Sequence, residues 1–156
     1  MLSSSVLFKL GAIINFYGRK HIMQIIWDQS YSVGVAQLDE HHKKLIAMIN
    51  ELSFAMKNDR GQQVVKDIVL EMVDYARMHF NVEEELMRKS GYLGLLQHLK
   101  EHEVFSRKAD ELAQRCQEGD FVLSAEVVNF LSDWLKAHIL ENDKKYSLTM
   151  NKKGIC

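Results

Sequence analysis

Proline is absent from the 156 residues, and the eight glycines, at positions 11, 18, 34, 61, 91, 94, 119 and 154, all fall outside 35–60, 62–90, 95–118 and 120–153. With no breaker inside them, those four stretches read as uninterrupted helices. A surplus of either charge is also missing. Lys and Arg total 20 against 21 Asp and Glu, a formal net charge of -1, so there is no basic excess to hold nucleic acid or an anionic membrane. Cysteine is scarce: Cys116 and Cys156, forty residues apart, make neither a disulfide framework nor a zinc pair, which suits a reducing, cytoplasmic setting. No apolar run approaches the ~18 residues needed to span a bilayer. What is present, 47% apolar and 26% charged residues, is one core-forming domain and excludes a disordered or collagenous chain.

The first 24 residues read as an extension of unknown role. Their apolar stretch, Val6 to Tyr17, is interrupted by Lys9 and Asn15 and lacks a small-residue cleavage site, while Met23 opens a self-sufficient continuation. An appended segment and an amphipathic surface helix are the two readings of it. Gly, Ser and Asp between Trp27 and Val35 break any helical period, so an extended arm is expected to lead into the first helix. The domain is expected to span 25–148, with 149–156 a tail.

Within 38–58, His42, Leu45, Ile49, Leu52 and Met56 recur at intervals of three and four, which aligns them on one helix face. Val65, Ile68, Met72, Tyr75, His79 and Leu86 form the second stripe, with Glu83 one turn after His79. Leu95, His98, His102, Phe105, Ala109, Leu112 and Cys116 form the third, and Val127, Leu131, Trp134 and His138 the fourth. Short glycine-bearing links imply antiparallel neighbours, hence an all-α, up-down-up-down four-helix bundle. In that topology the early His42, the late His79 and Glu83, the early His98 and His102, and the late His138 all come to one end.

A single buried histidine is ordinarily a satisfied core residue. Five on one layer, with a carboxylate, would each carry a desolvation cost that a metal ion relieves by accepting their lone pairs. Imidazole plus carboxylate suits iron or another transition metal. A zinc-thiolate site does not fit, since Cys116 lies about 27 Å along the helix from His98.

Five motifs carry a family resemblance: Trp27 with YSVGV, LDEHHKKL (38–45), YARMHFNVEEELM (75–87), HLKEH (98–102) and WLKAHILENDKKY (134–146). In that order and spacing the chain resembles the hemerythrins, in particular the single-domain bacterial type. The resemblance implies a diiron centre: His98, His102 and His138 on one iron, His42 and His79 on the other, Glu83 and Asp143 bridging both with an oxo or hydroxo group. Counting these positions leaves one open for dioxygen, with Leu45, Ile49 and Leu131 expected to wall the pocket. His138 and Asp143 are five steps apart, ~140° round an ideal helix, so a local π-type widening is expected between them. Two positions depart from the family pattern. His41 stands where glutamine is usual, and is expected at the surface or just behind the ligands; Leu93 follows Tyr92 where proline is common. His21 has no role in this reading.

Three rival readings compete. Ferritin-like diiron enzymes use Glu-x-x-His pairs, and the sequence contains none. HLKEH matches the H-x-x-E-H pattern of inverted zinc peptidases, with Glu101 as the base, but leaves His42, His79 and His138 without a purpose. A purely structural bundle requires the inward histidines to be coincidental. The expectation is therefore a monomeric, non-catalytic protein that binds dioxygen reversibly for transport, delivery or storage. The alternatives within the family are oxygen or iron sensing, or a redox activity toward peroxide or nitric oxide.

Overall fold

The computed structural model describes residues 24–58, 60–119 and 125–156. Expectations for residues 1–23, including His21 and the apolar stretch, lie outside them. Among the described residues there is no strand. The helical rods are α1 (Ala36–Lys57), α2 (Gln62–Ser90), α3 (Leu95–Glu118), and a fourth made of α4 (Ala125–Ala137), a wider π-type turn (His138–Asp143) and α5 (Lys144–Lys152). Helix α1 packs on α2 and α4, α2 on α3 and α5. No described helix is long and apolar enough to cross a membrane.

The three- and four-residue rhythm of the sequence is what each rod buries. On α1 the buried set includes Leu38, His42, Leu45, Ile49 and Leu52; on α2, Val65, Ile68, Met72, His79 and Glu83. Both helices thus carry polar groups on a face that is otherwise core. Gly91 ends α2 in the left-handed region, φ 71° and ψ 33°, where a Cβ would be strained. Its N–H donates to the Arg88 carbonyl while that of Tyr92 donates to Met87, so the last carbonyls are satisfied and the chain turns sharply into α3. Helix α1 starts at Ala36, which puts His42 six residues in, against eleven residues from His79 to the end of α2. At about 1.5 Å per residue the two depths differ by about 7.5 Å, yet the His42 and His79 rings lie 4.9 Å apart between centroids.

Before α1, residues 24–35 contain only a short 3-10 turn at Gln29–Tyr31. They are nonetheless tied down. Ile25 exchanges two hydrogen bonds with the Asn50 amide, at 2.9 and 2.8 Å, and Ile25, Tyr31, Val33 and Val35 are buried in the core. Asp39 accepts from the Ser32 hydroxyl at 2.5 Å and the Val33 N–H at 2.7 Å. From α5, Lys144 and Ser147 donate to the carbonyls of Ser32 and Val33. The segment therefore laces the start of α1 to α5, beside the polar end of the bundle. Removing the Asp39 carboxylate should cost about 2 kcal/mol, since two charge-assisted hydrogen bonds are lost. Asp39→Ala should lower the urea midpoint while leaving far-UV helicity intact, and an unchanged midpoint would mean that these bonds do not fasten the segment.

Candidate metal centre

The seven side chains singled out from the sequence converge. His42, His79, Glu83, His98, His102, His138 and Asp143 are each at most 4% exposed. His98 and His102, one helical turn apart on α3, bring their Nε2 atoms to 3.1 Å, and His102 Nε2 lies 3.0 Å from His138 Nε2. Ligands about 2.1 Å from one ion sit about 3.0 Å apart if octahedral neighbours and about 3.4 Å apart if tetrahedral, so the nitrogens have octahedral spacing. Each carboxylate faces both ways. Glu83 places Oε2 at 3.2 Å from His98 and 2.9 Å from His102, and Oε1 at 4.0 Å from His79. Asp143 places Oδ1 at 3.5 Å from His98 and 3.2 Å from His138, and Oδ2 at 3.3 Å from His42.

Asp143 reaches this position because of the wider turn. In an i to i+5 turn, residue 143 sits over residue 138, whereas regular helix would swing the two apart. The ring planes are fixed from behind: Phe80 stacks on His102 at 3.9 Å and Trp134 on His138 at 4.3 Å, both within 14° of parallel.

Hydrogen bonding does not satisfy the cluster. Both nitrogens of His42, Nδ1 of His138 and both oxygens of Asp143 are buried without a hydrogen-bond partner. The 3.3 Å approach of His42 to Asp143 is thus proximity without hydrogen-bond geometry, as expected of atoms directed at a common cation. Glu83, His98, His102 and His138 offer ligand atoms within 4.8 Å of one another, as do His42, His79 and Glu83. The donor set fits metal ions bound through nitrogen and oxygen.

Burial dominates the protonation of these groups. It holds His42 down to about 4 and His79 down to about 3, and keeps His138 well below its ordinary value. Burial, reinforced by the charge of Glu83, pushes Asp143 well above the carboxylate range. Burial also pushes Glu83 upward, but hydrogen bonding to His102 and His98 outweighs it and leaves Glu83 well below the usual range.

Three neighbours had no assigned role in the sequence. Tyr146, three residues past Asp143 and fully buried, donates its hydroxyl to Glu83 Oε1 at 2.5 Å. Glu84, next to Glu83 on α2, lies 3.0 Å from His102 Nδ1. His41 sits behind His79, 3.5 Å between Nδ1 atoms, one of the two places expected for it. The zinc-peptidase reading of HLKEH gains nothing from this arrangement, because His98 and His102 share the cluster with residues from α2 and the fourth rod.

Residues 33–147 match the family of hemerythrin HHE cation binding domains. A bacteriohemerythrin of Stenotrophomonas maltophilia is 34% identical over 123 residues, covering 79% of each chain. One from Clostridium acetobutylicum is 30% identical over 128 residues, covering 78% of this chain and 97% of that protein. A crystal structure of a wild-type hemerythrin superimposes with a TM-score of 0.76 at 26% identity, covering 82% of this chain and 98% of that one.

The metal-free protein should be sensitive to acid. His42, His79 and His138 are neutral when folded and take up protons when unfolded, so their contribution to stability is lost as pH falls from about 6.5 toward their folded values. Asp143, protonated when folded, contributes the opposite slope, one group against three. The urea midpoint of chelator-treated protein should therefore drop between about pH 7 and about pH 4.5. A rise over that interval would mean that the imidazoles are not held neutral.

Proposed function

The chain belongs to the hemerythrin family, and from that premise we propose that it binds dioxygen reversibly at a pair of iron ions, for transport, delivery or storage. The observation that carries this reading is the two-way placement of Glu83 and Asp143, each with one oxygen toward His98 and another toward the His42 and His79 side. On it, His98, His102 and His138 hold one iron, His42 and His79 the other, and the carboxylates bridge them with an oxo or hydroxo group. When bound, a ferrous pair supplies two electrons and an open coordination position for dioxygen. The protein supplies the rest: ring orientation, a fixed separation of donors, and exclusion of water.

Exclusion is the task of a cavity of about 20 Å³, lined by Leu45, Ile49, Phe80, Phe105, Leu131, Trp134 and neighbouring aliphatic residues. That volume holds one body of about water size. No ionisable side chain lines it among the described residues, so it offers no acid or base and slows proton and water entry. This favours a carrier over a catalyst. The cavity wall also supports the up-down-up-down winding. Leu45 and Phe105 lie three residues after His42 and His102, whereas Ala76 and Leu135 lie three before His79 and His138. All four point into one layer, which helices of alternating direction achieve.

Domain limits and setting belong to the same reading: a diiron domain over 25–148 entered by an extended arm, an extension before it, and a tail after it whose Met150 and Ile155 pack on the core. The protein is read as a cytoplasmic monomer.

Two measurements test this. Anaerobic titration with iron(II) should saturate at two ions per chain, and His102→Ala should reduce the bound iron and lower the melting temperature, because metal binding is coupled to folding. The loaded protein, nearly colourless, should develop a visible absorption band in oxygen and lose it under vacuum over repeated cycles. One-way oxidation in the first cycle would favour the sensor or redox-enzyme reading instead.

A further inference from the structure

The outward-facing nitrogens of the cluster are not treated alike. His102 turns Nε2 inward and Nδ1 toward Glu84 Oε1, 3.0 Å away, while the other Glu84 oxygen lies 3.0 Å from an Arg88 guanidinium nitrogen. A neutral imidazole has one N–H. When its Nε2 lone pair is given to a metal ion, His102 carries that hydrogen on Nδ1 and donates it to the Glu84 carboxylate. His79 also turns Nε2 inward, 4.0 Å from Glu83, but its Nδ1 meets only the neutral His41 ring, at 3.5 Å. His41 is itself held edge-on against Tyr75, at 5.8 Å between centroids. Nδ1 of His42 and of His138 is buried with no partner.

We propose that Glu84 and His41 are positioning residues, Glu84 for the three-histidine half of the site and His41 for the two-histidine half, so that the halves take up metal in separate steps, the three-histidine half first. The proposal rests on the ligand reading above. Its physical basis is the acceptor behind each ring. A carboxylate fixes the tautomer and raises the basicity of the inward nitrogen, and the Arg88 guanidinium keeps that carboxylate aimed. An uncharged ring at longer range fixes the tautomer but donates little electron density. The half with three imidazoles therefore also has the stronger outer support, and both differences act in the same direction.

The test uses the metal-free full chain titrated anaerobically with cobalt(II), followed by calorimetry and by visible absorption, so that dioxygen chemistry plays no part. Wild type should bind two ions in two resolved steps with distinct spectra. Glu84→Ala should weaken the first step by roughly 10–100-fold, with Glu84→Gln intermediate, and His41→Leu should weaken the second step by at least about tenfold. His41→Gln, which restores an acceptor, should recover the second step. A Glu84→Ala chain that fails to fold is replaced by Glu84→Gln, and a His41→Leu chain that fails to fold by His41→Phe, which keeps a flat ring without an acceptor. Two bound ions with both steps unchanged in all variants, or both steps shifted equally by either residue, overturns the positioning roles and leaves the ligand reading standing. A wild-type chain that binds no cobalt overturns both.

Discussion

Five imidazoles and two carboxylates are packed into one end of a helical bundle with almost no water-accessible surface, and the rest of the structure answers to that constraint. Several of their atoms have no hydrogen-bond partner, and each such group costs about 1–3 kcal/mol. Apolar replacements of similar shape would make a more stable bundle. The cluster is therefore a feature that stability alone does not explain, and it makes folding and metal uptake one linked process. The wider turn in the fourth rod has the same origin. It gives up regular helical hydrogen bonding so that Asp143 and His138 face one point.

The segment before α1 belongs to this economy of forces as well. Its carbonyls and hydroxyl are gripped by Asp39 at the start of α1 and by Lys144 and Ser147 on α5, directly after Asp143. The rods that carry His42 and Asp143 are thereby fixed to each other by polar contacts outside the core. A ligand cluster needs such fixing, because a shift of a fraction of an ångström in either rod would change which oxygen of Asp143 faces which histidine.

Most of the helices and the converging histidines with Glu83 were legible in residue spacing, for a definite reason, whereas Asp143 entered only through the family resemblance. Histidines on apolar stripes at three- and four-residue spacing have only one interior to point into, and the absence of proline leaves long, straight rods. Once the resemblance had paired Asp143 with His138, their five-residue interval exposed the local widening, because no regular helix brings both to one side. The positions of Glu84 and Tyr146 were not legible, and that of His41 was narrowed only to the surface or the space behind the ligands. Glu84 follows a buried glutamate and precedes another glutamate, and sequence periodicity places it on the surface; only the inward turn of the His102 ring makes its carboxylate a partner. Tyr146 reaches Glu83 across 63 residues of sequence, a contact that no local pattern encodes. The hold of Asp39 on the arm was hidden too, since an acidic residue in a first helical turn is already accounted for by the helix dipole.

The cavity and the cluster share their walls, and this shapes what the site can do. Phe80 and Trp134 lie flat against His102 and His138 and are also among the residues that line the cavity. Phe105 stacks on Trp134 at 4.0 Å, which extends the aromatic layer. The contacts that hold ligand rings in place are thus the contacts that set the room beside them. Close-packed interiors resist small displacements, so a molecule larger than the cavity would have to tilt the same plates that orient the imidazoles, at a cost in ligand geometry. A molecule small enough for the cavity avoids that cost. Size selection and donor placement are in this sense one property of the fold, enforced by two aromatic side chains that touch both.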